Sequence, residues 1–119
     1  MAVVPWSPLA GGRCAHPWGT KTARNAVDEV SPMVWGATDA QDKVVVDNLE
    51  KVAAAHGRTM AQESLAWMLS KPGITAPIVG STSERHIEEA VSALDIKLDP
   101  EEIAALEAPY VPHIKTGAF

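Results

Sequence analysis

The chain has 119 residues, 46% of them hydrophobic and 21% charged, with a formal net charge of -5 and a pI near 5.2. That length suits one small domain or a piece of a larger one. The acidic balance argues against nucleic acid or an acidic membrane as partner, since both select a basic face.

Ala2-Val3-Val4-Pro5 opens the chain as a short apolar run and reads as a buried strand. Trp6 to Gly12 follows as a loop with two prolines' worth of turn signals around it and two glycines at its end. Residues 13–37 show no sustained period, yet Trp18 and Trp35 fall there, and disordered segments are poor in aromatics. A loop of that length is expected to be functional. Cys14 is the sole cysteine, so no intrachain disulfide is possible, which fits a reducing, cytoplasmic setting. No basic cluster or paired histidine marks its thiol as reactive, so it reads as incidental.

Thr38 and Gln41 form a capping-box pattern. The helix it opens is expected to run to about His56, with Val45, Leu49, Val52 and His56 on one face and Gly57 as terminator. Thr59 and Gln62 form a second box, opening a helix to about Ser70 that is apolar almost all round and so buried on more than one side. Ile74 to Val79 reads as a second buried strand. Asp99, Pro100 and Glu102 combine an N-cap, an N1 proline and an N3 glutamate for a helix to about Glu107, with an irregular tail from Tyr110. His16, His56, His86 and His113 show no metal-ligand spacing, so no metal is expected. No stretch has the length of a membrane span, and the N-terminus lacks a signal-peptide pattern.

The stretch Ala76 to Ala90 organises the rest. An apolar run ends at Gly80; Ser81, Thr82 and Ser83 follow; then Ile87, Val91 and Leu94 mark one face of a helix. Ser81 with Glu84 predicts a capping box at its start. A strand, a glycine turn and a helix N-terminus present free backbone N–H groups and the positive end of a dipole, which favour an anion such as phosphate. Strands alternating with helices indicate βα units, but two strands make no stable sheet, so the chain reads as part of an architecture whose other strands lie elsewhere.

Four segments in this order resemble the C-terminal third of an aldo/keto reductase, from the seventh barrel strand to the end. They are Val4 to Leu9; Met60-Ala61-Gln62 with Leu65-Ala66-Trp67; Ala76 to Ala90; and Leu98 to His113. The match spans essentially all of residues 1–119 and is nearest the bacterial, shaker-β-like branch. The resemblance implies α/β architecture, strands seven and eight of a (β/α)8 barrel with their flanking helices. It implies hydride transfer between NADPH, in preference to NADH, and a small carbonyl substrate. Trp6 falls where the family stacks a ring on the nicotinamide. Ser7, Pro8, Leu9, Ala10 and Gly11 fall on the loop around the pyrophosphate. Gly80, Ser81, Thr82, His86, Glu89 and Ala90 fall on the adenosine-phosphate segment, where Ser81 or Thr82 meets the 2′-phosphate and Glu89 accepts from the adenine amino group.

The sequence departs from the family at Gly80, His86 and Ala90, where many members carry lysine, arginine and asparagine. Losing two cations weakens recognition of the 2′-phosphate. The family's catalytic Asp, Tyr, Lys and His have no counterparts here. Tyr110 is the only tyrosine and lies towards the tail, so no catalytic residue is assigned. Met1 stands directly before a barrel strand, as an internal methionine read as a start would. The rival expectation is a non-catalytic nucleotide-binding or interaction protein.

Overall fold

The computed structural model describes residues 1–23, 26–27 and 36–112. Trp35, His113, the rest of the tail and part of the 13–37 loop, all named in the sequence expectations, lie outside the described residues. Among the described residues four α-helices carry the order: α1 Asp39–Ala55, α2 Met60–Leu69, α3 Glu84–Ser92 and α4 Pro100–Glu107. Short 3₁₀ turns stand at Ala10–Gly12, Gly36–Thr38 and Ala93–Asp95.

Helix α1 begins where the sequence indicates, but not through a capping box. The Thr38 hydroxyl donates to Asp42 Oδ2 at 2.7 Å rather than making the side-chain cap bond. An ionised carboxylate one turn on is the stronger partner. The buried face is Val46, Leu49 and Ala53. It shares Leu49 with the expected face but is otherwise rotated by one residue, leaving Val45 and Val52 half-buried. The helix ends as expected. Gly57 takes a φ of 65°, and its N–H reaches Ala54 O at 3.1 Å while that of Arg58 reaches Ala53 O at 2.9 Å. This pair of bonds satisfies the last carbonyls, and the left-handed φ is the reason for a glycine there.

The boxes expected at Thr59 and Asp99 form. Thr59 Oγ1 accepts from the Gln62 N–H at 3.1 Å, and Gln62 Oε1 accepts from the Thr59 N–H at 3.0 Å. Asp99 Oδ1 accepts from the Glu102 N–H and Glu102 Oε2 from the Asp99 N–H, both at 2.8 Å. Each saturates amides that a helix start leaves unpaired. Helix α2 is buried through Met60, Ala61, Glu63, Ser64, Leu65 and Ala66, hence on more than one side. It packs on α1 and α3, and α4 packs on α1. Asn48 of α1 donates to the Ala105 carbonyl of α4 at 2.8 Å. The centre of this layer is Val46, Leu49, Ala53, Met60 and Leu106, with Cys14, Trp18, Val52, Trp67 and Leu98 against it.

The two expected buried strands are neither buried nor continuous. Val3, Val4, Ile78 and Val79 are all exposed, and among the described residues pairing is limited to one parallel bridge, Trp6 with Ile78. Thr75 N–H donates to Val3 O and Ile78 N–H to Pro5 O, each at 2.9 Å. Between these bonds one run advances two residues and the other three, so the register slips by one. Pro5 and Pro77 also contribute no N–H. Without neighbours on either edge, two such runs cannot bury their faces.

Candidate functional site

Parallel runs end on the same side, so the bridge brings the loop after Trp6 and the turn after Val79 to one end of the molecule. This is the juxtaposition that the sequence expectations require of the two candidate segments. Trp6, at the bridge itself, keeps 61% of its surface exposed.

The loop after Trp6 is strained. Ser7 and Ala10 take φ of 51° and 50°, a region that side chains with a Cβ rarely adopt, and Gly11 and Gly12 follow at 67° and 97°. Strain of this kind clusters at ligand-binding segments. Local bonds hold it. Ser7 Oγ accepts from the Gly11 N–H at 3.3 Å, and the amides of Ala10, Gly12 and Cys14 donate to Ser7 O, Leu9 O and Leu9 O. Pro8 and Leu9 lie half-buried within it. Arg13 then pins the loop to the start of α1, with Nη2 on Asp39 Oδ1 at 2.7 Å and Nη1 on Asp42 Oδ2 at 3.1 Å, and stacks over Trp18 at 5.0 Å. Sequence reasoning missed this anchor. Its only sequence signal is a basic residue after the glycines and two acids in a helix's first turn.

Arg13, His16, Trp18 and Lys21 line a cleft of about 330 Å³ beside the loop. Cys14 lies next to it, its thiol pushed up from the ordinary value by burial, with a hydrogen bond to Ser64 opposing the rise. A raised thiol is a poor nucleophile at neutral pH, which agrees with an incidental cysteine.

The second segment departs from its expected capping. The N-cap of α3 is Ser83, not Ser81, and Ser83 makes no side-chain cap bond. Ser81 Oγ instead accepts from the Ser83 N–H at 3.0 Å and donates to Ser83 O, closing a serine turn. Helix α3 therefore starts without a side-chain cap, at the end where an anion is favoured. Gly80 and Thr82 are exposed, as is His86 in the first turn; Ser81, Glu89 and Ala90 are half-buried. A Cβ built on Gly80 would meet nothing within 4 Å, so no protein neighbour demands a glycine there. Arg85 is exposed beside His86.

Tyr110 is exposed beyond the end of α4, its N–H on Glu107 O at 3.0 Å. A group absent from the sequence expectations does assemble: His56, Glu63 and Glu102, with ligand-type atoms all within 4.8 Å of one another. Histidine spacing alone does not reveal it, because both acids come from other helices. Among the described residues no helix is long and apolar enough to cross a membrane.

The aldo/keto reductase family model matches residues 1–110. Versiconal hemiacetal acetate reductase of Aspergillus parasiticus is 42% identical over 114 residues, which is 94% of this chain and 33% of that protein. An aldo-keto reductase of Fusarium vanettenii is 31% identical over 113 residues, 94% of this chain and 30% of its own length. A shorter aryl-alcohol dehydrogenase-like protein of Saccharomyces cerevisiae is 32% identical over 111 residues, 91% of this chain and 72% of its own length. The chain thus spans about a third of the length of the first two relatives. With the family match over nearly its whole length and the candidate segments brought to one end, the chain belongs to the aldo/keto reductase family.

Proposed function

We propose that this chain is the C-terminal, cofactor-binding part of an NADP(H)-dependent aldo/keto reductase, residues 1–119 forming one segment of its domain. On this reading the runs through Val4 and Ile78 are strands seven and eight of the (β/α)8 barrel. The observation that carries it is the parallel bridge between Trp6 and Ile78, which lets both candidate segments face one ligand. The donor set suits a nicotinamide dinucleotide. Trp6 offers an exposed flat face for the nicotinamide. The strained Ser7–Gly11 loop borders the pyrophosphate, and the uncapped start of α3 with Ser81, Thr82 and His86 meets the 2′-phosphate. Glu89 and Ala90 line the adenine. When bound, the cofactor supplies the hydride. This chain's own residues bind and orient it, and the proton donor for the carbonyl oxygen comes from residues outside this chain.

NADPH is preferred to NADH, but modestly, because Gly80 and His86 stand where cations strengthen the preference elsewhere in the family. The test completes the barrel with the preceding part of the versiconal reductase and measures dissociation constants for both cofactors. NADPH binds more tightly, His86→Arg widens the gap by about 1–2 kcal/mol, and Trp6→Ala weakens both cofactors alike. Equal affinities in parent and variant remove His86 from the 2′-phosphate site; binding of neither cofactor overturns the reading as a whole. The 119 residues alone reduce no carbonyl, and turnover that Tyr110→Phe abolishes would contradict this.

A further inference from the structure

A charge cluster lies where the ends of α1, α2 and α4 meet, away from the cofactor reading. His56 caps the end of α1, Glu63 stands in the first turn of α2 and Glu102 in the first turn of α4. Glu63 is fully buried and Glu102 nearly so, while the His56 side chain keeps 35% of its surface in solvent. Arg58 Nη1 donates to Glu63 Oε2 at 3.1 Å and to Glu102 Oε1 at 3.3 Å. Two carboxylates therefore face one guanidinium, so the balance of positive charge must come from His56 or from an added cation. Leaving a buried negative charge uncompensated is costly.

Two details locate the deficit. The Glu63 Oε1 atom is buried without any hydrogen-bond partner. His56 Nδ1 lies 2.9 Å from Val52 O, and a carbonyl only accepts, so Nδ1 carries the hydrogen. Nε2 then faces Glu102 Oε1 at 3.0 Å, and a nitrogen and a carboxylate oxygen that close need a proton or a metal cation between or beside them. An imidazole whose other nitrogen is fixed by a backbone carbonyl is oriented as metal ligands are.

We infer that His56 Nε2, Glu102 Oε1 and the orphan Glu63 Oε1 bind a divalent ion of the Zn²⁺ class. One imidazole and two carboxylates form a mixed nitrogen–oxygen set suited to such an ion, with a fourth position open to water on the exposed His56 side. Arg58 stays outside as the partner that holds both carboxylates. Zn²⁺ at about 2.0–2.2 Å from each ligand sets its ligand atoms roughly 3.4 Å apart, so the group, now within 4.8 Å, closes slightly on binding. The competing occupants are a proton on Nε2 and a water on Glu63 Oε1.

The test titrates Zn²⁺ into the full chain by calorimetry, with thermal melts in Zn²⁺ and in EDTA. One ion binds per chain and raises Tm, and EDTA reverses the rise. His56→Ala changes a partly exposed side chain, keeps the helical circular dichroism, and weakens binding by about a hundredfold. Glu63→Gln weakens it too; if that variant fails to fold, His56→Ala decides alone. Absence of binding at millimolar Zn²⁺ assigns the site to the proton or the water and overturns the inference. Binding that survives His56→Ala unchanged also overturns it, since the ion then sits elsewhere.

Discussion

The helical side and the strand side of this molecule differ in how far they complete themselves. Helices α1, α2 and α4 bury Val46, Leu49, Ala53, Met60 and Leu106 against one another, and two of their starts are closed by reciprocal boxes. The strand side leaves Val3, Val4, Trp6, Ile78 and Val79 exposed, and α3 adds Ile87 and Val91, with Leu94 just beyond its end. Helix hydrogen bonds are local, so a helical layer of this size finishes its own backbone. Strands need neighbours from elsewhere in the chain. The comparison teaches that apolar sequence alone does not bury a strand; on the proposed reading the bare side is where the rest of a barrel would fit.

The largest effect that sharpens this contrast is in the core. Leu65 is 2% exposed, so Leu65→Ala is expected to cost about 2–5 kcal/mol in denaturant unfolding. Val4→Ala, on the bare side, costs less than about 0.5 kcal/mol. Similar costs would break the distinction. Capping comes next. Asp99→Ala removes a bonded N-cap and costs about 0.5–2 kcal/mol, whereas Ser83→Ala, at a cap whose side chain makes no bond, is close to neutral. Glycine follows. Gly57→Ala, at φ 65°, costs about 1 kcal/mol by the same unfolding measurement. Gly80→Ala, in open space without a left-handed φ, changes stability little.

The smallest effect is electrostatic. Bonds from Lys71 and from the Trp67 indole hold the Glu107 carboxyl below its ordinary value. A depressed folded value means the contribution is present above the unfolded pKa and is lost as pH falls through the folded one. Glu107 is exposed, so this slope is slight. Melting curves across the acid range should show it, and Glu107→Gln should flatten it.

Most of the helical layer was legible in the sequence. The boxes at Thr59 and Asp99 formed because each side chain and its backbone target lie three residues apart. The patterns at Thr38 and Ser81 failed for the same local reason, since Asp42 and the Ser83 amide offered those hydroxyls other partners. A run of three valines, Val44 to Val46, left the α1 face ambiguous by one residue. Burial of the two runs was misread because it depends on neighbouring strands, which the described residues do not supply. The Trp6 loop and the Gly80 turn were legible as segments, though their meeting at one end needed the bridge. The His56–Glu63–Glu102 group was invisible, because nothing local joins three residues on three helices.

Amide hydrogen exchange on the 119-residue chain tests the central claim most directly. The account predicts slow exchange within α1, α2 and α4, and fast exchange at Thr75 and Ile78, whose bonds lie in the bare pair of runs. Thr75 and Ile78 amides as protected as those of Leu65 and Ala66 would contradict it.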